Sequence, residues 1–273
     1  MEIYERIREI LQQGGKAALA TVIHTQGSVP RRAGSKMLVF PDGRIEGTVG
    51  GGELENRVRA ESLGVLADSR TRVLHYSLND LGEGDPGVCG GEVDVFVEPI
   101  QPSPTILIVG GGHVGKALGH LAHWLGFRVV VSDDRPEFAT VEANPDADEV
   151  VLCPMAEIPG RVRINPSTYI MLTTRGISTD VSGLPVLMDT PAAYLGVIGS
   201  RRRWELCVKE LKEMGVPQEK IDRVTSPMGL ELNAETPEEI ALSMMAEIIL
   251  LRRGGTGLPM AHAAGVRRGV KEG

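Results

Sequence analysis

Between Thr105 and Arg135 the chain reads TILIVGGGHVGKALGHLAHWLGFRVVVSDDR, an order of parts that few folds accommodate. An apolar run, Thr105 to Val109, leads at once into Gly110, Gly112 and Gly115 at the spacing G-x-G-x-x-G. An amphipathic helix is expected from about His113 to Leu125, stopped by Gly126, then a strand from Arg128 to Val131 with Asp133 at its carboxyl end. Strand, glycine turn, helix, strand and acid in register describe the start of a nucleotide-binding βαβ unit. Gly110 is expected to permit the tight turn, Gly112 to let a pyrophosphate approach the backbone, and Gly115 to let helix and strand close up. The helix N-terminus offers unpaired N–H groups to an anion, with Gly111 and His113 inside the same turn. Asp133, with Asp134 and Arg135 beside it, is placed for a ribose 2′-hydroxyl, so a bound dinucleotide would be NAD-like rather than NADP-like. A glycine turn serving packing alone is the plainer alternative.

Something else precedes this unit, and 273 residues leave room for two cores. Pro99-Ile-Gln-Pro-Ser-Pro104 carries three prolines in six residues between two strand-like runs, the composition of a stiff linker. The expected organisation is a first domain over 1–99, a linker over 100–104, a second domain over 105–253 and a glycine-rich tail over 254–273. The fold class is α/β, a small N-terminal α/β domain followed by a Rossmann-like doubly wound parallel sheet. No apolar run approaches bilayer length, and MEIYERIREILQQ reads as a charged amphipathic helix rather than a signal peptide, so a soluble cytoplasmic protein is expected. The net charge of −7 argues against a general grip on nucleic acid. Against that trend stand two basic clusters, Arg31-Arg32 and Arg201-Arg202-Arg203, each beside glycine or serine in a setting that suits phosphate. A solvated basic face is the commoner meaning of such runs.

The first domain alternates strand patterns, Ala17 to Thr25, Lys36 to Phe40, Arg44 to Val49, Arg72 to Leu78 and Val93 to Pro99, with a helix from Leu54 to about Ala67. Gly50-Gly51-Gly52 stands at the entrance of that helix and can either wrap N–H groups around an anion or form a plain tight turn. Three cysteines, Cys89, Cys153 and Cys207, show no C-x-x-C or Cys/His spacing, which argues against disulfides and a structural zinc. Cys89, bracketed by glycines in the loop from Asn79 to Gly91, is the candidate thiolate: a nucleophile, a sulfur carrier or a soft metal ligand. Cys153 and Cys207 read as small buried residues.

The second domain continues with strands over Val150 to Cys153, Thr168 to Leu172 and Tyr194 to Ile198. The last runs into Gly199-Ser200-Arg201, a second strand, glycine and helix junction expected to open at the carboxyl edge of the sheet. Thr236-Pro237-Glu238-Glu239 carries a cap, a first-turn proline and a capping-box glutamate. The helix behind it is expected to run to near Arg252, with Ile240, Met244, Ile248 and Leu251 as its core stripe.

The segments GSVPRRAGSKMLVFPDGRIEGTVGGGELE, GVCGGEVDVFVEP, GGGHVG, YLGVIGSRRR and SPMGLELNAETPEEIALSMMAEI together resemble the XdhC/CoxI family, the xanthine dehydrogenase accessory factors. The resemblance runs from about residue 15 to 253. It implies a helper with little or no catalysis of its own that binds molybdenum cofactor, as molybdopterin or its dinucleotide form, protects it, and passes it on sulfurated. The recipient implied is a molybdenum hydroxylase such as xanthine dehydrogenase, with a cysteine desulfurase as a further partner and a homodimer as the assembly. Cys89 is then the residue that would contact molybdenum or carry its sulfur, and the glycine turns the places for the phosphate. Members of the family often carry a histidine soon after the fourth-strand T-R-G; here Thr174-Arg175-Gly176 is followed by Ile177, which puts any role of that histidine in question. Two other classes stay open: an NAD(P)-dependent oxidoreductase, for which no hydride-transfer apparatus is evident, and a sulfur-transfer enzyme using Cys89.

Overall fold

The computed structural model describes residues 2–77 and 91–262. The chain divides into two compact units, Met1–Pro102 and Ser103–Gly273.

The first unit runs α1 (Glu2–Gln12), β1 (Ala17–Gln26), β2 (Lys36–Val39), β3 (Ile45–Gly47), α2 (Gly52–Asp68), β4 (Arg72–Ser77) and β5 (Glu92–Ile100). Its sheet is antiparallel throughout, in the order β3-β2-β1-β5-β4. Successive side chains of a strand point to opposite faces, and β1 uses both. Ala18, Ala20 and Val22 face Leu54, Val58 and Val65 of α2. Ala17 and Leu19 face Ile10 of α1 together with Leu38 and Phe40. The small alanines let a helix close down on each side of the strand.

The second unit runs β6 (Thr105–Val109), α3 (His113–Trp124), β7 (Arg128–Asp133), β8 (Glu149–Leu152), α4 (Ile158–Arg161), β9 (Thr168–Leu172), α5 (Ile177–Met188), β10 (Tyr194–Val197), α6 (Arg201–Glu213), α7 (Gln218–Ile221), β11 (Val224–Thr225) and α8 (Pro237–Arg253). All six strands are parallel, in the order β11-β10-β9-β6-β7-β8. Each central strand is buried on both faces, as a parallel sheet requires. Ile106 and Ile108 face α3 and α8 through Leu118, Ala122, Met244 and Ile248. Leu107 and Val109 face the opposite layer through Ile158, Leu184, Cys207 and Leu211. Because β6 leads to β7 on one side while β9 leads to β10 on the other, the strand order reverses between β6 and β9. A crevice at the carboxyl ends of those strands is where doubly wound folds bind ligands.

The capping box expected at Thr236 is present: its side chain accepts from Glu239 N–H, and the Glu239 carboxylate accepts from Thr236 N–H. The core stripe of α8 departs from expectation. It is Ala241, Met244, Met245 and Ile248, with Ile240 only partly buried and Leu251 53% exposed. The buried face of the helix therefore ends one turn before the helix does. Helix α5 was not expected from the sequence, for Gly183 and Pro185 both lie inside it and both are poor helix formers. Gly183 is there for packing: a Cβ at that position would come 2.4 Å from the Met155 side chain.

Candidate cofactor-binding site

In the second unit the structure brings Gly110 to Gly115, Asp133 to Arg135 and Thr173 to Arg175 together at the carboxyl edge of β6, β7 and β9. Gly110 has φ +114, and a Cβ there would come 2.8 Å from Thr173 O. Thr173 Oγ1 in turn donates to Gly110 O at 2.7 Å, tying the turn to β9 across the switch point. A Cβ on Gly115 would stand 2.0 Å from Gly110 O, so this glycine sets how closely α3 meets the strand. Gly111 is enclosed as well: its Cβ would come 2.7 Å from Phe138 O. Gly112 differs from all three. It is the N-cap of α3 with no side-chain cap, and a Cβ on it would meet nothing within 4 Å. An uncapped helix start behind an open position leaves room for a group to approach the first-turn backbone N–H groups. His113 and Lys116 lie exposed on the first turn of the same helix.

Asp133 is 2% exposed in its side chain and fully engaged within the protein. Its Oδ1 accepts from Arg135 N–H at 3.0 Å and Arg135 Nε at 2.9 Å. Its Oδ2 accepts from Gly111 N–H and Arg135 Nη2, both at 2.8 Å. A carboxylate offers about four acceptor positions, so a ribose hydroxyl would have to displace Arg135. That guanidinium is also stacked 3.8 Å from the Phe138 ring centroid. Asp134 reaches the other way, to Arg175 Nη2 at 3.2 Å. The pocket over these residues, about 210 Å³ and floored by Cys153 and Met155, thus has its charges paired off internally.

Burial of Asp133 works against its charged form, but the donors of Arg135 and Gly111 outweigh it and hold the carboxyl below its ordinary value of 3.8. A lowered folded-state value means stability that is complete above the unfolded value and lost as pH falls through the folded one. Acid titration of the melting temperature should therefore show a loss beginning near pH 4. Asp133→Asn should make that loss shallower, leaving the part owed to Glu46, Asp68 and Glu239, whose carboxyls are also held below their ordinary values by hydrogen-bond donors; an unchanged acid limb in that variant would exclude a contribution from Asp133.

At the second junction, Gly199 has φ +139 and its Cβ would come 2.8 Å from Arg203 Cδ, so this glycine makes way for an arginine of the protein itself. Ser200 caps α6, accepting from Arg203 N–H, and Arg201 is exposed. Arg203 was read from sequence only as the last member of a basic cluster, suited to phosphate or to solvent, yet it is turned inward and organises this edge. Its Nη2 donates to Asp180 Oδ2 at 2.5 Å and Thr174 Oγ1 at 3.0 Å, and its Nη1 to Thr174 O at 3.3 Å. Asp180 also accepts from the Thr174 hydroxyl. Helical spacing carries the missed signal: Arg203, Cys207 and Leu211 share one face, and the last two are buried. Cys207 and Cys153 are both buried free thiols. Burial, then Asp180 and Glu210, push the Cys207 thiol up to about 11, far from thiolate character at neutral pH.

In the first unit Gly50, Gly51 and Gly52 have φ +151, +85 and +60, a run open to glycine alone. Their turn already holds a carboxylate, that of Glu55. Its Oε1 accepts from Val49 N–H at 3.2 Å, Gly51 N–H at 2.9 Å and the Thr48 hydroxyl. Glu55, at the fourth position of α2, thus accepts from the N–H of the cap residue Gly51, a backward reach that a glycine cap, with no side chain to reciprocate, does not announce in the sequence. Glu55→Ala should cost this unit about 1–3 kcal/mol by stranding those donors. Glu55→Gln, which keeps an acceptor, should recover most of it; equal losses in urea melts would exclude the capping role. The segments chosen from sequence do converge: a Cβ on Gly50 would meet Pro30 Cγ at 2.9 Å, and one on Gly91 would meet Val29 Cγ1 at 2.8 Å. Arg31, the neighbour of Pro30, is exposed beside that turn. Cys89 lies outside the described residues. Among the described residues no group of three or more His, Cys, Asp or Glu is placed to hold a metal ion, and no helix is long and apolar enough to cross a membrane.

Comparison with known proteins gives concordant matches along the chain. Residues 106–248 match the XdhC Rossmann domain, and residues 10–77 match the XdhC and CoxI family. YqeB of Escherichia coli is 33% identical, over 97% of this chain and 49% of its own length, so the chain spans about half of that relative. A probable xanthine dehydrogenase subunit from Bacillus subtilis is 24% identical, over 89% of this chain and 96% of its own. The molybdenum cofactor insertion chaperone PaoD of Escherichia coli is also 24% identical, over 89% and 86%. A crystal structure described as a xanthine dehydrogenase from Bacillus halodurans shares the fold, with a TM-score of 0.51, 23% identity, and coverage of 95% of this chain and 97% of its own.

Proposed function

From the premise that this chain belongs to the XdhC and CoxI family, we propose that it is an accessory protein that binds molybdenum cofactor and delivers it, sulfurated, to a xanthine dehydrogenase-type molybdenum hydroxylase. The observation that carries the reading is the uncapped start of α3 behind Gly112, which fits the phosphate of a pterin cofactor. At the other glycine-rich helix entrance a carboxylate of the protein, that of Glu55, already accepts from the N–H groups of Val49 and the cap residue Gly51. Lys116 and His113 flank the site and balance the phosphate charge. The bound cofactor would supply the molybdenum and its sulfur; this chain would hold, orient and shield them. Of the relatives similar along most of the chain, one is named as a molybdenum cofactor insertion chaperone and another as a probable xanthine dehydrogenase subunit. NAD is the weaker occupant, because the acid expected to take its ribose is saturated by Arg135 and Gly111.

In this reading the protein acts in the cytoplasm as a homodimer, receives sulfur with the help of a cysteine desulfurase, and uses Cys89 as the thiolate toward molybdenum. Mass spectrometry of protein purified anaerobically should find retained pterin, and the loaded protein should restore activity to an apo-hydroxylase. Cys89→Ser should load pterin yet fail in transfer, since a serine hydroxyl stays protonated and is a poor ligand for a soft metal. Absence of pterin together with tight NAD binding would overturn the reading; a fully active Cys89→Ser protein would remove that residue from it.

A further inference from the structure

Two lobes flank the start of α3. One is the pocket over Asp133, the usual seat of the first nucleoside in such folds, here about 210 Å³ with its carboxylates paired to Arg135 and Arg175. The other is a groove of about 670 Å³ along α3, walled by the segment after β7 and by the first turns of α8. Its bed is small and apolar, with Ala117, Val131, Ala143 and Leu242 among the lining residues. Its volume is that of a site for a small organic ligand.

Asn144 lines this groove and is 5% exposed. Its Nδ2 donates to Phe138 O at 2.6 Å and Thr140 O at 3.1 Å. Two carbonyls on that side fix the amide orientation, because a flipped amide would set oxygen against oxygen. Oδ1 is therefore the free end. It is buried and without a hydrogen-bond partner, 3.5 Å from where a Cβ of Gly111 would sit. Native proteins rarely leave a buried acceptor unpaired, and this one lies at the mouth of the helix that offers N–H groups to an anion. Farther along the groove, Asp146 Oδ2 accepts from the His120 ring at 3.0 Å, and Glu238 lies on the opposite wall.

We infer that the ring of the phosphate-bearing ligand lies in this α3–α8 groove rather than over Asp133. The ligand class is a planar heterocycle with ring or exocyclic N–H groups joined to one phosphate. Its phosphate meets the α3 N-terminus with His113 and Lys116, its apolar faces rest on Ala117, Ala143 and Leu242, and an N–H donates to Asn144 Oδ1. A slight parting of Thr140–Asn144 from Gly111 admits that donor. The inference rests on the cofactor reading above and deepens it, since a pterin phosphate is such a ligand.

The test uses the fluorescence of a pterin monophosphate as probe, with inorganic phosphate and NAD as comparison ligands, on the full chain. Ala143→Trp and Leu242→Trp fill the groove from opposite walls, and Ser182→Trp fills the other lobe. The expected result is pterin phosphate binding weakened at least tenfold by both groove variants and little changed by Ser182→Trp, with inorganic phosphate bound equally by all. Thermal melts identify any variant that fails to fold, and two independent groove variants guard against losing one. The opposite pattern, loss only in Ser182→Trp, would overturn the ring placement and leave the cofactor reading intact. Wild-type protein that binds NAD but no pterin phosphate would overturn both.

Discussion

Arg203→Ala is expected to lower the stability of the Rossmann unit by about 3–5 kcal/mol, the cost of removing one partner from a buried ion pair. For a unit of this size that is a fall in melting temperature on the order of 10 °C. The cause is Asp180, 1% exposed in its side chain, which would lose the guanidinium that balances it. The loss would also release Thr174, whose carbonyl and hydroxyl are held by the same arginine. Arg201→Ala and Arg202→Ala, on exposed positions just before it in the chain, should stay within about 0.5 kcal/mol. The double variant Arg203→Ala with Asp180→Ala should lose less than the sum of the single losses, since neither charge is then stranded. Additive losses, or an Arg203→Ala protein as stable as the parent, would show that the pair contributes nothing to the fold.

This triplet of arginines shows where a linear reading stops. A basic run beside glycine suggests either phosphate or a solvated face, and both descriptions apply to its first two members. The third is drawn inward because Ser200 fixes the start of α6 and thereby the face on which residue 203 falls. The strands of the parallel sheet were legible because two-sided burial leaves continuous apolar runs, as in Thr105–Val109 and Thr168–Leu172. Helix α5 was hidden because tertiary packing against Met155 overrides its glycine and proline. The glycine signature was legible: Gly110 sits in the tight turn and Gly115 at the helix–strand contact, as their spacing suggested. Gly110, Gly111 and Gly115 are accounted for by contacts inside the protein, whereas a Cβ on Gly112 would meet open space. Asn144 carried no signal, since neither periodicity nor motif marks an acceptor that becomes buried when a loop folds over a turn.

The glycine turn yields the second large effect, a contrast between two glycines three residues apart. Gly115→Val should cost about 3 kcal/mol or more, the upper end for overpacking, because the Cβ would stand 2.0 Å from Gly110 O and backbone on both sides must move. Gly112→Val should cost about 1 kcal/mol or less. Its φ of −71 suits any L-residue, its Cβ meets open space, and the only penalty is that valine is a poorer N-cap than glycine. Binding should separate the two in the other direction. A valine side chain at 112 occupies the approach to the α3 N-terminus, so retained pterin should fall at least tenfold in a protein that melts almost normally. Thermal melts alongside pterin content of the purified variants give both readings at once. Should Gly112→Val lose stability as heavily as Gly115→Val, the turn would be a packing device throughout and the anion would have to bind elsewhere. Should it keep both stability and pterin, the phosphate does not approach through this turn.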